Sequence, residues 1–379
     1  MNFPENANKT ACRAVLVTGL GPLCAAATGA GALLAALEQG RSGITTTPAG
    51  RTALLSGFSA EQHTGSDKPY LDRCSALALA SAKLALADAG LAAKFPESTR
   101  AGLAFGSAYG AWQTMELFFR DVAQKGANLA RPFLFPHAYL SAPASLIAME
   151  HGLHGYHGVP ASGWNASAHA LAQGLDQVRS GRCELFLAGG ADAGGGMLFE
   201  ALAAAGHFEA GSGEKSSAPG EGAGMLVLEE AGHAAQRGAR VYARLAGAGF
   251  ASGEGSEALR RALEHAAADA GITLAAVDGY VAASAGGGLE AQENEALAAL
   301  RQDASWNPRI TRVKTLWGET FGAGAALAAS AAALLVSGRL LAESVTAVPA
   351  SSSPPRVWLV GSLDPGGAAV GLLFTNIIP

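Results

Sequence analysis

The chain is short of the side chains that most often carry catalysis. All nine histidines lie at or before His265, so residues 266–379 hold no imidazole. Cys12, Cys24, Cys74 and Cys183 are the four cysteines, and none shows the C-x-x-C spacing of a metal or redox site. Their scatter excludes a disulfide framework and fits a reducing, cytoplasmic setting. Charged residues are 15% of the 379, with a net charge of −5. No Lys/Arg cluster or RNA-binding motif occurs, so no nucleic-acid partner is expected. No stretch has the roughly 18 uninterrupted apolar residues of a membrane span. The densest, "AGAALAASAAALLVSGRL" (323–340), is broken by Ser330, Ser337 and Arg339 and reads as a buried helix. The opening "MNFPENANKTACR" lacks the charged, apolar and small-residue segments of a secretory leader. The glycine pairs at 19–21 and 322–324 lack the full context of a phosphate-binding loop, and no cofactor or metal is expected.

What is present is a large potential core: 49% of residues are hydrophobic and 50 are glycine. Strand-like runs such as "RAVLVTGLGPLC" (13–24), "CELFLAGGADA" (183–193) and "RVWLVGS" alternate with helix-like ones such as "LDRCSALALASAKLALADAGL" (71–91) and "EAQENEALAALR". The alternation implies an α/β architecture with covered sheets. The two parts of the chain, 1–235 and 236–379, repeat the same order of elements, which points to an internal structural duplication. "HGLHGYH" (151–157) spaces three histidines as a metal site could. Its glycines read instead as a helix end and a loop.

The segments "VLVTGLGPL", "DAGL", "RPFLFP", "LAGGADA", "PGEGAGMLVLEEAGHAAQRGARVYA" and "VKTLWGETFGAGAA" follow one another as they do in β-ketoacyl synthases. The chain resembles that family over about residues 13–375. The resemblance implies the five-layered αβαβα thiolase-like fold. It also implies a reactive cysteine at a strand-to-helix elbow and two histidines that act on a malonyl donor. A thiolate there would take the acyl group, aided by the helix N-terminus, while two imidazoles would stabilise enolate charge.

Matching "GWNASAHAL" to the family's elbow places Trp164 at the nucleophile position. The first histidine position falls at Ala283, with Ser284 as the alternative. The second falls at Glu319, five residues after the retained Lys314. Pro365, in "LDPGGAA", replaces the aromatic residue of the loop that guards the acyl pocket. Trp164 thus reads as a seal over the old acyl site. Ser162 and Ser167 read as structural, since His169 lies two residues beyond Ser167 and off its helical face.

These substitutions make the chain similar to a chain length factor, the silent partner of an active ketosynthase. The resemblance implies a heterodimer that makes bacterial polyketides or polyenes, aryl polyenes among them, and the 379-residue length and the "GETFGAG" loop favour a polyene-type system. Contact with the acyl carrier protein would run through that partner, since a −5 chain without basic clusters is a poor dock for an acidic carrier. The polar loop "EAGSGEKSSA" (209–218) also departs from the family's pattern there. The candidates for shaping an acyl tunnel are Tyr109, Trp112, Met115, Phe119, Phe133 and Phe135; Tyr109, Trp112 and Phe119 recur at i, i+3 and i+10. The alternatives are an acyltransferase or hydrolase that uses a serine, and a homodimeric acyl-binding scaffold. The purified Trp164→Cys chain, assayed alone for carbon dioxide release from a malonyl thioester, is expected to show no turnover, because both imidazoles are still missing.

Overall fold

The computed structural model describes residues 13–47, 50–64, 68, 70–96, 100–208, 218–342 and 356–376. The loop 209–218, apart from Ala218, lies outside the described residues. Among the described residues the main sheet has eleven strands, ten of them along its path. The first five are β1 (Val15–Cys24), β2 (Ala101–Gly106), β3 (His157–Gly158), β4 (Leu185–Asp192) and β5 (Gly222–Glu230). The second five are β6 (Ala243–Ser252), β7 (Gly279–Val281), β8 (Arg309–Thr311), β9 (Val357–Leu363) and β10 (Ala368–Thr375). β1 and β4 are buried along their whole length, as strands covered on both faces must be.

Across the sheet the order is β8-β7-β9-β10-β6-β1-β5-β4-β2-β3, with the short strand Ala27–Thr28 beside β1. Each set of five therefore has its third strand outermost, followed by the second, fourth, fifth and first. The pairings repeat as well. The third, second and fourth strands are parallel, and the fifth is antiparallel to both of its neighbours. The two sets join where β1 and β6 pair antiparallel through Leu16–Arg244 and Val17–Ala243. The duplication expected from the order of elements is thus present as repeated strand topology.

Seven helices matter for the site: α1 (Arg73–Asp88), α2 (Trp112–Lys125), α3 (Ala166–Arg179), α4 (Gly196–Ala204), α5 (Gly255–Asp269), α6 (Gly287–Ala304) and α7 (Gly324–Val336). α1 covers β1, β4 and β5 from one outer side, and α5 covers β6, β9 and β10 from the other. α3 and α7 lie between the two halves of the sheet and touch strands of both, which completes five layers. Every residue of α7 is buried, so the alanine-rich run seen in the sequence is a core helix. Among the described residues no helix is long and apolar enough to cross a membrane. Small residues let these layers close up. A Cβ on Gly106 would stand 2.3 Å from the Ala166 carbonyl carbon at the start of α3.

The element α4 is absent from the sequence reading, because the glycine run before it resembles a loop. Strands β7 and β8 are three residues each, and "RPFLFP" overlaps a 3-10 turn at Pro132–His137.

Both central helices begin in the same way. A one-turn 3-10 segment, Gly163–Asn165 before α3 and Phe321–Ala323 before α7, opens on a residue with left-handed backbone. These residues are Gly163 at φ 57° and Phe321 at φ 52°. The next N–H in each case donates to a carboxylate from the opposite half. Trp164 N donates to Asp364 Oδ2 at 2.8 Å, and Gly322 N donates to Asp192 Oδ2 at 2.7 Å. Asp192 ends β4 and Asp364 follows β9, so each fourth strand caps the other half's central helix. Negative charge at a helix N-terminus is stabilising.

Asp192 also accepts Ala108 N and Tyr109 N, both at 3.0 Å, and Ser107 Oγ at 2.6 Å. Burial pushes its carboxyl up to about 6, while these donors pull the other way. An Asp192→Asn amide would turn its NH2 toward backbone N–H groups that need an acceptor. We expect a loss of about 2–3 kcal/mol in stability, measured by urea unfolding, because buried donors are left without a partner.

Candidate functional site

The elbow before α3 is filled by side chains. Trp164 is 7% exposed and packs with Leu202, Phe208 and Phe321. Phe321 is the hub of the aromatic group. Its ring lies 5.2 Å from Tyr109, 5.3 Å from Trp164, 6.1 Å from Phe208 and 6.3 Å from Phe199, with mainly edge-on or tilted geometry. The Trp164 indole also donates from Nε1 to the Tyr109 hydroxyl at 2.9 Å. A buried indole therefore has both its apolar face and its one donor satisfied.

Charged groups hold this cluster in place. A non-glycine residue with left-handed backbone costs on the order of 1–2 kcal/mol and needs support. For Phe321 the support is Glu319, whose Oε1 accepts Phe321 N at 2.9 Å. Lys314 Nζ donates to Oε2 of the same carboxylate at 2.7 Å, and both side chains are buried. The pair thus fixes the turn that aims the Phe321 ring into the site. Gly163 is required at its own position: its φ is positive, and a Cβ there would come within 2.2 Å of Asp364 Oδ2.

A cavity of about 230 Å³ remains beside the rings, lined by Trp164, His207, Phe208, Leu289, Gln292, Glu319, Pro365 and the backbone around Gly286. Of the sequence-derived positions, Trp164, Glu319 and Pro365 meet there. Ala283 and Ser284 are buried just outside it, where Ala283 N and Ser284 Oγ donate to Glu293, which also takes Tyr280 OH and Arg312. His207 is an imidazole that sequence reasoning missed. Its exposed ring lies 5.8 Å from Trp164. Ser167 Oγ accepts Ala326 N between α3 and α7, and His169 packs on Phe250. Ser162 Oγ is buried without a hydrogen-bond partner. Among the described residues neither serine is hydrogen-bonded to a basic side chain. Among the described residues no group of three or more His, Cys, Asp or Glu side chains is placed to hold a metal ion. In "HGLHGYH", His151 is buried and bonds the Ala93 carbonyl, while His154 and His157 are exposed.

A second, larger space opens on the other side of Tyr109. This groove of about 840 Å³ is almost wholly apolar and is lined by Tyr109, Trp112, Met115, Phe119, Met197, Leu198 and Ala201, among others. Four of the six tunnel candidates are therefore brought together. Phe133 and Phe135 are not among its lining residues. Phe133 stands edge-on to Tyr70 at 6.1 Å, and Phe135 packs on Phe118 and Tyr139 at 5.6 and 4.9 Å. Tyr109 also precedes α2 and does not share its periodicity; the helix itself contributes Trp112, Met115 and Phe119. The opposite wall comes from α4, which the sequence reading had passed over.

Residues 12–234 match the family described as "Beta-ketoacyl synthase, N-terminal domain". Nodulation protein E of Rhizobium sp. (strain N33) is 32% identical over 347 residues, 83% of this chain and 84% of that protein. The chain belongs to the β-ketoacyl synthase family. Another relative is 3-oxoacyl-[acyl-carrier-protein] synthase 2 of Vibrio cholerae, 28% identical over 350 residues and 84% of each chain. The fold is that of the ishigamide ketosynthase/chain length factor, with a TM-score of 0.85 at 23% identity over 97% of this chain and 100% of that one. It is shared with a type II polyketide acyl-carrier protein complex with its ketosynthase, at a TM-score of 0.82 and 21% identity over 96% and 100% of the two chains.

Within this family member, the elbow is electrostatically unsuited to a thiolate. The N–H of residue 164, which could face a developing oxyanion, is bonded to Asp364. A cysteine at 164 would have that carboxylate beside it, and like charge disfavours ionisation. In Trp164→Cys the new thiol is expected to titrate above the ordinary value of about 8.5. Adding Asp364→Asn should lower it, as read from the pH dependence of iodoacetamide alkylation.

Proposed function

We propose that this chain is the non-condensing subunit of a ketosynthase pair. In that pair it shapes the space into which an acyl chain grows on an active β-ketoacyl synthase. The observation that carries the reading is Trp164. An indole, hydrogen-bonded through its ring to Tyr109 and through its backbone to Asp364, stands where the family resemblance places a nucleophile. Glu319, tied to Lys314, stands at one histidine position, and Ala283 at the other.

The surface supports a partner. Phe119, Phe135 and Met197 are 59%, 48% and 54% exposed. The groove side chains continue through Phe118 and Phe135 to Tyr139 in an unbroken apolar run. Exposed apolar area of this extent marks an interaction site. α2 fully buries only Thr114 and Asp121 in the isolated chain, and its Met115 and Phe119 are exposed. Likeness in fold to a ketosynthase/chain length factor structure favours a ketosynthase as the occupant. Such a partner would supply the thiol, the imidazoles and most of the contact with an acidic acyl carrier protein. The product class favoured is a polyketide or polyene, with aryl polyenes one member of that class.

Co-expression with the ketosynthase of its own system should yield a stable heterodimer that elongates acyl thioesters, while the chain purified alone does not. Trp112→Ala, which enlarges the groove, should shift products to longer chains by mass spectrometry. Condensation by the isolated chain at an enzymatic rate would overturn the proposal.

A further inference from the structure

The groove and the small cavity are separated by two rings. Tyr109 lines the groove, Trp164 lines the cavity, and the indole N–H to phenol bond of 2.9 Å joins them. Leu198 lines the groove next to Tyr109 and packs on the same ring cluster from that side.

This partition is built to stay closed. The Tyr109 backbone is clamped by Asp192, the Trp164 backbone by Asp364, and the Phe321 ring wedges against both side chains. For the Tyr109 ring to swing aside, the Trp164 N–H would have to lose its acceptor while buried. Leaving such a donor unsatisfied is costly. Two phenylalanines could fill the same space, yet neither would be locked in this way.

We propose that the hydrogen-bonded pair Tyr109–Trp164 is the end wall of the groove, and that it limits how far an acyl chain can extend. The inference rests on the proposed role as the partner of a ketosynthase. It adds a residue, Trp164, that does not line the groove and acts on length from behind. Without the indole, Tyr109 loses its anchor and the groove gains access to the cavity lined by Phe208 and Glu319.

The test uses the heterodimer with its active ketosynthase, with product length read by mass spectrometry. Trp164→Ala is expected to give products longer by at least one extension unit, although no groove-lining side chain has been changed. Trp164→Leu keeps apolar bulk in the cluster and is read in the same assay should the alanine variant fail to assemble. Tyr109→Phe, which removes the acceptor and keeps the ring, should add longer minor products. Unchanged lengths from an assembled Trp164 variant, while Trp112→Ala lengthens products, would remove the wall and leave the partner role standing. A wild-type chain that neither associates with a ketosynthase nor alters its products would take down both.

Discussion

Two carboxylates hold this molecule's centre. Asp192 and Asp364 each leave the fourth strand of one half and cap the first turn of the other half's central helix, at 2.7 and 2.8 Å. The exchange ties together segments 130 and 200 residues apart in the chain. It also decides where the two helix entrances lie, and so where Trp164 and Phe321 project. The repeated strand order explains why the contact occurs twice. A duplicated fold that buries two helices between its sheets must meet the same unsatisfied N–H groups on both sides of the pseudo-symmetry.

The entrance to α3 is filled by close-packed rings. A thiolate at a helix N-terminus is favoured by exposed N–H groups and positive potential, and here both are neutralised by Asp364. The volume is taken by Trp164, and Phe321 closes over it in a strained backbone conformation that the Lys314–Glu319 pair supports. Charged side chains at the old site therefore orient rings. They are themselves buried and paired, and a buried pair that fixes a turn contributes geometry more than net stability. The Trp164–Tyr109 hydrogen bond joins a ring that lines the small cavity to one that lines the neighbouring groove, so the packing of the two spaces is coupled.

The outer face of that groove is the least satisfied part of the molecule. α2 is amphipathic, yet in the isolated chain Met115 and Phe119 are exposed and Trp112, Leu117 and Phe118 are only partly buried. α4 completes the wall across from it. Its residues Met197, Leu198 and Ala201 line the groove, while Leu198, Phe199 and Leu202 pack on the ring cluster, which makes this nine-residue helix the link between surface and interior.

By itself, the sequence determined the fold class, the buried nature of the 323–340 helix and the lack of any histidine after His265. These are properties of composition and local period: imidazoles absent after His265 cannot be restored by folding, and apolar periodicity reports burial directly. Tertiary structure alone decided that Asp364 would sit against Trp164, that Glu319 would turn back on Lys314 and Phe321, and that His207 would border the cavity. It also decided that Phe133 and Phe135 would not line the groove with Trp112 and Phe119, and that three glycines would lead into a helix. The physical reason is range. Periodicity reports which face of an element is buried, whereas the acceptor for a given N–H is chosen by strands that pair across hundreds of residues.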